Sequence, residues 1–138
     1  MASVQVNFIA VLVCSVVTFL IGGLWYSPFL FAKKWVALLG KSPESMGGAA
    51  PNPLMFVIGF LTGLITSYVL AVVVNLSAAS SVVDGVIVGI VCWLGFAGAT
   101  SYNNQVNFVQ RPRALWAIDS GYNLVTFVIT GAILAIWR

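Results

Sequence analysis

Asp119, Asn123, Thr126 and Thr130 are spaced by four, three and four residues. At about 3.6 residues per helical turn that spacing gathers them on one narrow arc, with Tyr122 at its flank. A carboxyl group on such an arc inside an apolar helix can take a proton or a cation, and it needs water or a polar partner to be tolerated there. Threonines can satisfy backbone carbonyls of their own helix, so Asp119 and Asn123 are the two that demand outside partners. The polar groups nearest in sequence are Asn103, Asn104, Asn107, Arg111 and Arg113. Two arrangements follow. In one, the arginines and carboxamides satisfy Asp119 and lock the turn between two helices. In the other, Asp119, Asn103, Asn104, Arg111, Arg113, Tyr122 and Asn123 form a cytoplasm-facing polar pocket, in which Asp119 takes a proton or cation and an arginine takes an anion.

Other chemistry has few residues to draw on. The chain of 138 residues contains no histidine, which removes the commonest general base and metal ligand. Nucleophile-elbow and phosphate-loop patterns are missing, and the three acids fall in separate segments. Cys14 and Cys92 sit in apolar runs without metal-ligand spacing and read as inert core residues. The expectation is a protein with no catalytic residues, no metal and no cofactor. Asp84 opens a helix, where an acidic group complements the helix dipole. Asn7 reads as an interhelical hydrogen-bonding residue, and Asn75-Leu76-Ser77 is a chance match to a glycosylation sequon at the membrane edge.

The elements that would carry these residues are transmembrane. Hydrophobic residues make up 61% of the chain and charged ones 7%, and the mean hydropathy is +1.06. A water-exposed body needs far more charge than this to cover itself. Apolar runs at about 4–26, 54–76, 82–102 and 115–137, the first of them free of charge, are each long enough for a hydrocarbon core of about 30 Å. The first lacks the basic flank and cleavage site of a signal peptide, so it is expected to stay as a span. The predicted fold is therefore an all-α membrane protein, one domain over 1–138, with four transmembrane helices in two hairpins.

Trp25 and Tyr26 sit at the aromatic-belt level, and Ser27-Pro28 ends the first helix. The following segment winds either as a short interfacial helix, with Phe31, Trp35, Leu38 and Leu39 opposite Lys33, Lys34 and Lys41, or as a loop with snorkelling lysines. Residues 42–53 are rich in Pro and Gly and read as linker. In the second run Gly59, Gly63, Ser67 and Ala71 recur every fourth residue, and Gly85 and Gly89 do so in the third. Stripes of small residues let helices approach closely in lipid, so all six are expected on contact faces.

Lys33, Lys34, Lys41, Arg111 and Arg113 fall in the first and third loops, while the second loop carries no Lys or Arg. The positive-inside rule turns the basic loops to the cytoplasm and both termini outward. The net charge of +3 has no basic face to accompany it, so no nucleic-acid partner is expected. The expected partners are membrane lipid and either further copies of the chain or other membrane subunits.

The order Gly22-Gly23-Leu24-Trp25-Tyr26-Ser27-Pro28, then Phe31, Lys34-Trp35, Trp93-Leu94-Gly95-Phe96, Asn104, Trp116, Asp119 and Tyr122 resembles a family of small, mainly bacterial, four-span membrane proteins catalogued as a domain of unknown function. The resemblance runs nearly end to end, and its most specific part is the Trp-Tyr-Ser-Pro element. It implies the four-helix topology, directs attention to Trp25, Tyr26, Pro28, Trp93, Asn104 and Asp119, and implies a place in the bacterial inner membrane. It implies no activity. Two functions remain open: a non-enzymatic component, either a homo-oligomer or an accessory subunit, and a small transporter or channel built on the polar face around Asp119.

Overall fold

The computed structural model describes residues 4–41 and 52–138, and the fold there is all helix. The elements are α1 (Phe8–Trp25), a short α2 (Ala32–Leu38), α3 (Pro53–Leu76), α4 (Val82–Phe108) and α5 (Arg113–Ile136). Apart from its last two residues, the stretch read as linker lies outside the described residues. The four long helices, of 18, 24, 27 and 24 residues, are long and apolar enough to cross a membrane.

Their starts are set by side chains that satisfy the free first-turn amides. Asn7 Oδ1 accepts from the backbone N–H of Ile9 and Ala10 at 3.0 and 3.1 Å. That carboxamide caps α1 and does not bridge helices, contrary to the sequence expectation. Asn52 does the same for α3, with Pro53 behind it. At α4, Ser81 accepts from Asp84 N–H and Asp84 accepts from Ser81 N–H, each at 3.1 Å, a reciprocal capping box. Asp84 therefore belongs to helix initiation.

The helix α4 runs on past Tyr102 to Phe108 through two π-helical turns, Trp93–Gly98 and Tyr102–Phe108. Each widens the helix and turns the residues beyond it relative to a regular α-helix.

Packing is tightest between α4 and α5. A Cβ on Gly85 would collide with the carbonyl of Gly131, and one on Gly89 with the carbonyl of Phe127. The two backbones lie directly against each other there, which only glycine permits. In α3, Ser67 and Ala71 are buried, a Cβ on Gly63 would make an ordinary contact with the Thr18 methyl at 3.8 Å, and Gly59 faces open space. The six small residues thus divide, with Gly59 outside any contact within the described chain.

The apolar core joins Ala10, Val11 and Cys14 of α1 to Leu70, Ala71 and Val74 of α3, with Cys92, Leu134 and Ala135 completing it. Both cysteines are free and buried. This core fills the end of the bundle remote from the basic loops. At the opposite end aromatic side chains pack between the helices.

Candidate functional site

Asp119, half-buried in the first two turns of α5, accepts two hydrogen bonds on one oxygen. The Tyr26 hydroxyl donates to Oδ1 at 2.7 Å and the Trp35 indole N–H donates to the same atom at 3.0 Å. Both donors come from around the Ser27-Pro28 turn. Ser27 donates its hydroxyl to the Leu24 carbonyl at 2.6 Å, while its own carbonyl accepts from the N–H of Leu30 and Ala32. The chain is thereby reversed within a few residues, and α2 is laid back against α5. Phe31 packs on Trp25 with ring centroids 4.8 Å apart, and Trp35 stands edge-on to Tyr26 at 5.3 Å.

The residues on either side of Asp119 are held in the same manner. Trp25 donates its indole N–H to the Ile118 carbonyl and Trp93 donates to the Ser120 carbonyl, each at 2.9 Å. A helical carbonyl has a second lone pair, so it accepts these bonds without giving up its place in the helix. Three consecutive residues of α5 are consequently tied to α1, α2 and α4 by tryptophan. Two glycines make room for the rings. A Cβ on Gly121 would meet the Trp25 ring at 3.2 Å, and one on Gly22 the Tyr122 hydroxyl at 3.3 Å.

The residues expected to form one polar site are sorted onto different faces of α5, the end of α4 and the loop between them. Asp119 looks toward α1 and α2. Tyr122 donates to the Thr18 carbonyl at 3.2 Å and packs on Tyr26 at 5.7 Å. Together with Asn123 it lines a cavity of about 680 Å³ bounded by α1, α3 and α5. Asn103, Arg111 and Arg113 line a second cavity, of about 760 Å³, against Trp93 and Trp116. Asn104 is exposed, and its backbone carbonyl accepts from Val109 N–H across the π-helical turn.

The expectation that arginines and carboxamides satisfy Asp119 is therefore corrected. The groups nearest in sequence sit at the start of α5 and on the rotated end of α4, both turned away from the carboxyl face. Its partners come from 93 and 84 positions away. One signal for them was present in the sequence. Every tryptophan carries an N–H that must find an acceptor where water is excluded.

Chemically the arrangement is a latch, since a carboxyl oxygen held by a phenol and an indole is positioned, and both donors are neutral groups. Among the described residues, no group of three His, Cys, Asp or Glu side chains could hold a metal ion.

Four apolar spans laced at one end by aromatic hydrogen bonds define the class: an integral membrane protein. Residues 9–135 match the family described as "Protein of unknown function (DUF1761)", and the chain belongs to that family. Among curated proteins and among solved structures there is no significant match.

Proposed function

We propose that this protein is a non-enzymatic membrane component that works by packing against other transmembrane helices, first of all those of a second copy of the chain. The observation that carries this reading is the open groove between α1 and α3. Gly22, Gly23, Gly59 and Gly63 line it, and a Cβ on Gly23 or Gly59 would meet nothing within 4 Å. The Thr62 and Thr66 hydroxyls beside them are spent on carbonyls of their own helix at 2.9 Å. Along α3 the groove therefore offers shape and backbone, as close helix association in lipid favours, while Asn123 of α5 also lines it. Only 22–33% of each span is buried inside the chain, which leaves ample surface for a neighbour. The same reading places the protein in a bacterial inner membrane, basic loops in the cytoplasm and termini outside, as homo-oligomer or accessory subunit.

Native mass spectrometry of the protein released from gently extracted membranes tests it. The wild type should travel as an assembly larger than one chain, and Gly59→Leu, whose Cβ meets no other group of the described residues within 4 Å, should reduce it to a monomer. An unchanged mass for Gly59→Leu overturns the reading.

A second reading, a small transporter or channel, draws on Asn123, whose carboxamide lines the same cavity beside Tyr26 and Tyr122. Asn at position 119 keeps an acceptor oxygen for both donors. Asp119→Asn should therefore assemble normally, and on this reading it loses flux in liposomes. No flux in either form rejects transport.

A further inference from the structure

The cavity between the end of α4 and the start of α5 carries chemistry that neither reading uses. We propose that it binds an anionic phospholipid, with the lipid phosphate held by Arg111 and Arg113 and an acyl chain lying along α4.

The polarity of the cavity changes along its length in the way a lipid does. Its α4 wall begins with Leu94, Gly98 and Ala99 and ends with Asn103 and Asn107. Steps of four residues, with Gly98 and Ala99 adjacent, put these five on one side of the widened helix, apolar at the depth of the span and polar where the basic loop begins. The two arginines close the polar end. Each guanidinium presents a planar fork of donors that matches phosphate oxygens. Among the described residues, no carboxylate lines the cavity to compete for them.

The carboxamides are oriented for the same task. Asn107 donates to Asn103 Oδ1 at 3.0 Å, so the acceptor of Asn103 is occupied and its amide hydrogens remain to donate. The two tryptophans are fixed, and their indoles offer no acceptor. Trp93 spends its N–H on Ser120, and Trp116 donates to Ser101 Oγ at 2.9 Å while standing edge-on to Tyr102 at 5.0 Å. Two cations beside an aromatic floor favour a headgroup of net negative charge. A choline headgroup would bring its own cation against the arginines.

Native mass spectrometry of the full chain in detergent, titrated with phosphatidylglycerol or phosphatidylcholine, tests the proposal. Wild type should retain phosphatidylglycerol at least about tenfold more tightly than phosphatidylcholine, and R111Q/R113Q should abolish that preference. Ala99→Trp fills the apolar end without touching a charge and should also release the lipid. Equal retention of phosphatidylglycerol by wild type and R111Q/R113Q overturns the proposal. Full retention by Ala99→Trp overturns it as well, since surface charge alone would then explain the binding. Displacement of the lipid by millimolar glycerol phosphate overturns the lipid assignment in favour of a soluble phosphate ester. Thermal unfolding of each variant, unchanged from wild type, shows that the fold is intact.

Discussion

Tyr26 donates its hydroxyl to Asp119 Oδ1 at 2.7 Å, joining the end of α1 to the second turn of α5 across 93 residues of sequence. Removing that donor leaves a half-buried acceptor with one partner fewer. Tyr26→Phe should destabilise the protein by about 1–3 kcal/mol, whereas Asp119→Asn, which keeps an oxygen in place, should cost less than about 1 kcal/mol. Thermal unfolding in detergent followed by circular dichroism measures both. A larger loss for Asp119→Asn than for Tyr26→Phe would contradict the latch.

The second donor to that oxygen holds α2. In Trp35→Phe the helix loses its hydrogen bond to α5, and the population in which Lys33 and Lys34 are released for cleavage should rise about tenfold. Limited tryptic digestion of the detergent-solubilised protein reports this as faster cutting after those lysines. Unchanged digestion would mean that α2 is held elsewhere.

Glycines of α4 and α3 should respond differently. Gly89→Ala forces a methyl onto the Phe127 carbonyl and should cost about 3 kcal/mol, since two backbones must separate. Gly59→Ala faces open space and should leave monomer stability unchanged. The same unfolding measurement compares them, and equal effects would mean that α4 and α5 do not cross where the structure puts them.

The turn between α3 and α4 holds a strained residue. Ala78 has φ of 55°, a left-handed conformation in which a Cβ is unfavourable by about 1–2 kcal/mol. Glycine removes that strain but is freer in the unfolded chain by about 0.4–1 kcal/mol. Ala78→Gly should therefore stabilise by about 0.5 kcal/mol, seen as a small rise in the unfolding midpoint.

Much of this architecture is legible before any coordinates. Length and hydropathy mark the four spans, and lysine and arginine placement pairs the first and third loops at one end of the bundle. Period-four glycines mark the faces fit for close packing. The placement of Asp119 on an apolar helix identifies it as the group in need of partners. Its neighbours in sequence were the wrong partners to expect, because helical geometry at the start of α5 and the π-helical turns of α4 aim Asn103, Arg111 and Arg113 elsewhere. The Trp-Tyr-Ser-Pro element reads in sequence as an aromatic belt and a helix stop. In the fold it is also the hinge that returns Trp35 to the carboxyl group already held by Tyr26.

The sequence by itself determined that this chain carries four membrane spans and roughly where they lie, because hydropathy and charge act through local spacing. Only the tertiary structure decided who satisfies Asp119, which glycines touch a neighbour and which stay open, and that the arginines face a cavity of their own. Those outcomes depend on helix rotation and on contacts between residues far apart in the chain, and a shift of one residue in a helical turn, such as a π-helical turn introduces, changes both.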